Sequence, residues 1–139
     1  MATKGINHVN LRAPREMLDQ LKDFYCAVVG LEVGPRPPFP AFGYWLYAGG
    51  RAVVHLYQAS PDEVRQTNVE TTFDHVAFDC EDSEAVEARL RERGVRYDKT
   101  VVPASRQLQL FVVDPAGNKV ELNFGETESV ATGVTQTYR

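Results

Sequence analysis

Cysteine is scarce in this chain, with two among 139 residues, Cys26 and Cys80. They form no Cys-x-x-Cys motif, which argues against a disulfide framework and fits a reducing, cytoplasmic setting. Both read as small buried hydrophobes, Cys26 on a helix and Cys80 on a strand. No apolar stretch approaches the ~20 residues needed to span a bilayer, so no membrane partner is expected. The opening MATKGINHVN has no apolar core of the signal-peptide kind. No long basic run is present and the formal net charge is −4, which argues against a nucleic-acid partner. Histidine is also scarce: His8, His55 and His75 are the only three.

What is present is an ordinary globular composition, 43% hydrophobic and 24% charged, in a chain long enough for one domain over residues 1–139. The segment GINHVNLRA alternates, which predicts a strand over about residues 5–12 with Val9 and Leu11 on one face and His8, Asn10 and Arg12 on the other. Pro14 suits a helix start. Leu18, Leu21, Tyr25 and Val28 follow at helical spacing, and Gly30 is a natural stop. LEVGP reads as a short strand and RPPFPAF as a loop, because proline cannot pair regularly. GYWLYA and RAVVHLYQ then form a hairpin across Gly49-Gly50.

After a polar connection the pattern restarts. FDHVAFDC reads as a strand, Asp82 or Ser83 as a helix cap, Ala85, Val86, Arg89 and Leu90 as the helix, and Gly94 as its end. VRYDKTV, QLQLFVV and NKVELNF are three more strands, the last two joined through the turn sequence DPAG. Each half therefore reads strand, helix, strand, strand, strand: a βαβββ module repeated in tandem at an offset of about 65 residues. The first module covers about residues 5–58 and the second about residues 73–125. The polar tail, 126–139, either wanders or adds an edge segment.

The repeat gives the histidines their meaning. A lone histidine inside AVVHLYQ is most simply a packing residue whose ring nitrogens find local partners. All three histidines, however, fall at equivalent places: His8 and His75 in the first strand of each half, His55 in the last strand of the first. The fourth equivalent place holds Glu121. Convergence of these strands on one cleft would assemble three imidazoles and a carboxylate, a ligand set for one divalent ion such as Zn2+, Fe2+ or Ni2+. The predicted metal ligands are accordingly His8, His55, His75 and Glu121.

The segments GINHVNLRA, FDHVAF and FVVDPAGNKVELNF resemble the vicinal oxygen chelate superfamily, whose members include glyoxalase I, extradiol dioxygenases, fosfomycin-resistance thiol transferases and bleomycin resistance proteins. DPAGNKVEL is close to that family's D-P-x-G-x-x-x-E-L. The resemblance implies an α+β fold in which two βαβββ modules form an incomplete mixed β-barrel around a metal cleft. It also implies a small-molecule substrate chelated through two adjacent oxygens to one divalent ion, Fe2+, Ni2+, Mn2+ or Zn2+. In small family members modules commonly pair between subunits, so a homodimer with shared sites is expected, each taking His8 and His55 from one chain and His75 and Glu121 from the other.

Among the members, glyoxalase I is most similar in holding a ligand at all four positions, although it usually has glutamate where this chain has His55. Extradiol dioxygenases supply the equivalents of His8, His75 and Glu121, but the tyrosine they carry before the DP turn is Phe111 here. The thiol transferases hold threonine where this chain has Asn10, and their potassium loop has no counterpart. Bleomycin-binding proteins lack the metal ligands. A lyase or isomerase is therefore the first expectation, with His55 and Glu121 as catalytic residues. An Fe(II) dioxygenase, a thiol transferase and a small-molecule binding protein on the same scaffold are the alternatives. Strand alternation adds Asn10, Arg12, Tyr57, Phe111 and Asn123 as substrate-binding candidates, with Arg12 suited to a carboxylate. The aromatic loop PPFPAFGYWLY suits the wall of a site for an apolar or aromatic substrate. Arg36 and Arg51 read as surface residues.

Overall fold

The computed structural model describes residues 2–125 in full and the backbone of 126 and 135–138; most of the polar tail lies outside the described residues. The chain divides into two compact units, residues 1–67 and 68–139. Each is a βαβββ module.

The first unit runs β1 (Val9–Ala13), α1 (Arg15–Phe24), β2 (Glu32–Gly34), β3 (Gly43–Ala48) and β4 (Arg51–Gln58). Its sheet order is β1-β4-β3-β2. The first and last strands are thus neighbours, paired in parallel with Asn10 opposite His55 and Arg12 opposite Tyr57. β1 begins later than its alternation suggests: pairing starts at Val9 opposite Val54, and His8 stands just ahead of the strand. Helix α1 is continued by a π-helical turn, Tyr25–Val29, which ends at Gly30 with φ 97°. Leu18, Leu21, Tyr25 and Val28 are buried, as their spacing predicts. They cover the sheet face made by Leu46, Val54 and Leu56, each at most 1% exposed. Each such side chain contributes about 1.5–3 kcal/mol on burial. That face fixes the register, because a slip of one residue would turn Val54 and Leu56 outward and His55 into the core.

The second unit runs β5 (His75–Cys80), α2 (Ser83–Glu92), β6 (Tyr97–Val101), β7 (Gln107–Val113), β8 (Lys119–Glu126) and β9 (Thr135–Tyr138), in the order β5-β8-β7-β6-β9. Again first and last module strands pair in parallel, with Ala77 opposite Glu121 and Asp79 opposite Asn123. β9, from the tail, pairs antiparallel with β6, so the tail does add an edge segment. Asp82 is the cap of α2, accepting from the Ala85 backbone N–H at 3.2 Å. The buried stripe of α2 differs from the predicted one: Val86, Glu87 and Leu90 are buried, whereas Ala85 is exposed. Glu87 tolerates burial because Tyr97 donates to its Oε1 at 2.8 Å and Lys99 to its Oε2 at 3.0 Å. The Tyr97 hydroxyl is pushed up to about 12 by burial and by the Glu87 carboxylate.

The DPAG turn is built around Asp114, which is buried and accepts from the backbone N–H groups of Ala116 and Asn118 and from the Asn118 side chain, all within 3.0 Å. Cys26 and Cys80 are free and only half-buried, a correction to the expectation of full burial. Burial still pushes both thiols up, so neither is an activated thiolate. Among the described residues no helix is long and apolar enough to cross a membrane.

Candidate functional site

In the first unit the parallel pairing of β1 with β4 brings His8 against His55. Their rings stack at 3.7 Å between centroids, 13° from parallel. On the other side of His55 lies the indole of Trp45, at 4.1 Å and 11°. Trp45 occupies the position opposite His55 on β3, so the sheet register itself makes the sandwich. His55 is 9% exposed, and burial followed by the charge of His8 lowers its pKa, which favours the neutral imidazole.

The hydrogen bonds fix tautomers. His55 Nε2 lies 3.1 Å from the Ala52 carbonyl, which can only accept, so Nε2 carries the proton and Nδ1 the lone pair. His8 Nδ1 lies 2.7 Å from the side-chain oxygen of Asn7, which leaves the lone pair on Nε2.

In the second unit β5 and β8 bring His75 to Glu121, Nε2 to Oε1 at 3.2 Å. The other ring nitrogen, Nδ1, sits 2.6 Å from Asp74, whose carboxyl is held low by Lys119 and then by His75 itself. This is the carboxylate–histidine arrangement that orients a metal-binding imidazole. With Nδ1–H donated to Asp74, a lone pair on Nε2 would face a carboxylate oxygen. The contact puts the two expected ligands of this module within reach of one another. Glu121 is 4% exposed and accepts from Asn123 at 2.7 Å and from Gln109 at 3.3 Å.

Each unit thus brings together its own two expected ligands; among the described residues no group of three or more His, Cys, Asp or Glu side chains is placed to hold an ion. Of the expected substrate-binding residues, Asn10 is exposed and level with His55, and Arg12 and Tyr57 meet in a cation–π contact at 4.5 Å. Phe111 lies opposite Glu121 and turns its ring edgewise to His75 at 5.6 Å. Asn123 donates to Glu121, which makes it a support for the carboxylate. Arg51 is exposed, as expected. Arg36 is not a plain surface residue. Its Nη2 donates to the Ala41 carbonyl at 2.9 Å, its guanidinium lies over Phe39 at 5.0 Å, and its buried Nε has no hydrogen-bond partner among the described residues.

Gln109 and Asp74 were not singled out by the sequence, and Trp45 entered only as one of the aromatic residues of PPFPAFGYWLY, not as the partner of His55. Gln109 needed the cross-strand register to be known, whereas Asp74 is the sequence neighbour of His75 and its signal stood in FDHVAF itself. Trp45 had a signal that could have found it, since it lies on the strand that the Gly49-Gly50 hairpin folds directly against His55.

Comparison with known proteins places the fold in a family. Residues 5–122 match the model of the glyoxalase/bleomycin resistance protein/dioxygenase superfamily. "Glyoxylase I 4" of Arabidopsis thaliana is 30% identical over 122 residues, covering 85% of this chain and 69% of the plant protein. The crystal structure of a glyoxalase family protein from Enterococcus faecalis is 26% identical with a TM-score of 0.65, covering 88% of this chain and 99% of that one. A glyoxylase/bleomycin resistance protein/dioxygenase domain from Frankia sp. EAN1pec has a TM-score of 0.71 at 19% identity, covering 90% and 100%. The chain belongs to the glyoxalase/bleomycin resistance protein/dioxygenase superfamily.

Proposed function

We propose that the protein is a divalent-metal-dependent enzyme that acts on a small molecule through two adjacent oxygens, as a glyoxalase-I-like lyase or isomerase. The observation that carries this reading is the repeated pair: His8 against His55 in one module, His75 against Glu121 in the other, each pair on the adjacent first and last strands. The donor set fits an ion. Three imidazoles, each with one nitrogen already committed, and one buried carboxylate suit Zn2+, Fe2+, Ni2+ or Mn2+. Such an ion, when bound, supplies Lewis-acid polarisation and a template for the two substrate oxygens.

The chain's own residues do the rest. His55, kept neutral, either ligates through Nδ1 or takes a substrate proton there. Gln109 and Asn123 hold the Glu121 carboxylate in place, and Asp74 orients His75. Arg12 binds a substrate carboxylate, Asn10 offers an amide level with His55, and Tyr57 and Phe111 wall the site. We propose further that the ligand pairs of the two modules combine between two chains of a homodimer.

Elemental analysis of protein purified without chelators tests the reading, compared with His55→Ala. Loss of bound metal in that variant makes His55 a ligand; retained metal with lost activity makes it the base. A wild-type protein that takes up none of the four ions ends the proposal.

A further inference from the structure

The first unit contains a cavity of about 570 Å³ beside Arg12, walled by Tyr57, Phe42, Pro40 and Pro61. The guanidinium carbon of Arg12 lies over the Tyr57 ring, 4.5 Å from its centroid, and that of Arg36 approaches the same ring at 5.9 Å. A cation on an aromatic wall, with proline and phenylalanine around it, is the chemistry that recognises a carboxylate carried on a flat apolar body.

The Arg12 guanidinium already has a carboxylate. Glu63, on the loop just after β4, places Oε2 2.7 Å from Arg12 Nε. The loop is shaped to hold it there: Ser60 gives its backbone N–H to Glu63 Oε1 at 3.1 Å and its hydroxyl at 3.3 Å, and Arg65 Nε lies 2.6 Å from Oε2. Arg12, then Ser60 and Arg65, bring the Glu63 carboxyl down to about 2, so it stays ionised throughout the physiological range. The contact is nevertheless shallow. It uses one donor of the Arg12 fork, and the Arg12 side chain is 37% exposed. Pairs of this exposure are worth little and exchange readily, whereas a ligand carboxylate can engage a guanidinium through two parallel hydrogen bonds.

We propose that this cavity is a binding site for a small aromatic carboxylate and that Glu63 is its resident occupant, a loop carboxylate that yields Arg12 to the ligand. The inference rests on the reading of Arg12 as a substrate-binding residue but not on the metal. Glu63 thereby sets specificity: a neutral ligand does not displace it, and an anionic one does.

The test is calorimetric titration of the full chain with sodium benzoate, in the presence of EDTA so that the metal proposal is not engaged, with benzamide as the neutral control. Benzoate should bind the wild-type protein weakly and Glu63→Gln about two- to fivefold more tightly, the range expected for removing a partly exposed ion pair. Benzamide should bind neither. Arg12→Met should abolish benzoate binding in both backgrounds, and Arg12→Lys, which keeps the charge without the planar fork, should weaken it while preserving the fold. Equal benzoate affinity in wild type and Glu63→Gln, no binding in either, or binding that survives both Arg12 substitutions would each overturn the proposal. Metal content measured separately reports on the four-ligand site and leaves this outcome unaffected.

Discussion

The indole of Trp45 lies flat on the imidazole of His55, 4.1 Å between centroids, and His8 covers the opposite face of the same ring. Trp45 is the only tryptophan in the chain. Its emission is therefore a direct report on His55, because a protonated imidazole in contact quenches an indole. Burial, then the His8 charge, lowers the His55 pKa from 6.5. The fluorescence should fall on acidification with a midpoint below 6.5, and the step should vanish in His55→Leu. In the window from about 6.5 downward the unfolded chain binds the His55 proton more readily than the folded one, so this residue makes stability decline as pH falls. A midpoint at or above 6.5 would contradict the buried, cation-flanked setting.

The same stack constrains metal loading. For His8 and His55 to hold one ion together, their rings, 3.7 Å apart and 13° from parallel, would have to leave the stack. His8 is exposed and precedes the first paired residue of β1, whereas His55 is held mid-strand under Trp45. Zn2+ added to metal-free protein should change Trp45 emission in step with binding, and His8→Ala should lower the affinity by one to several orders of magnitude. An emission spectrum indifferent to bound Zn2+ would mean that the stack persists and that His8 and His55 are not joint ligands.

Sharing of ligand pairs between chains has a simple signature. His8→Ala and Glu121→Ala homodimers should each lose metal at both sites. After subunit exchange, a mixed dimer collects both lesions in one site and leaves the other intact, so metal binding should return to half of its sites. A monomer with full metal content, or verified exchange without recovery, excludes the shared arrangement.

Glu87→Ala removes the acceptor that Tyr97 and Lys99 both use beneath α2. Loss of one partner from a largely buried charged network costs about 3 kcal/mol, so denaturant unfolding should show a clear fall in midpoint. Trp45 lies in the first unit, and its acid midpoint should not move.

Gly117 sits at φ 93° in the DPAG turn, and a Cβ there would come within 2.9 Å of the Asn68 backbone nitrogen and 2.7 Å of its Cα. Gly117→Ala should destabilise by about 1–3 kcal/mol. Chemical unfolding checks this; a neutral substitution would mean that residue 68 gives way at little cost.

Much of this protein was open to reading along the chain. Alternation placed His55, His75 and Glu121 on strands and extended the first strand to His8, which stands just ahead of β1. The sheet's apolar face required Val54 and Leu56 to be inward, which turned His55 to the other side. The repetition of strand, helix and three strands showed that the four residues occupy equivalent places. These are local or periodic properties, fixed by the two-residue period of a strand and the spacing of apolar residues in a helix.

Adjacency is different. Only the order β1-β4-β3-β2 and its counterpart in the second module make the first and last strands neighbours, across more than forty intervening positions. From that follow the His8–His55 stack, the Trp45 cover and the His75–Glu121 contact. The partners of Glu87, the inward turn of Arg36 and the capture of Arg12 by Glu63 likewise join residues whose sequence patterns are independent of one another. A charged side chain carries its charge in the sequence, but its partner is whichever group the packed backbone brings within about 3 Å. The sequence by itself determined which residues share a face and repeat; the tertiary structure decided which of them touch, because strand pairing order depends on the closure of the whole module rather than on any local period.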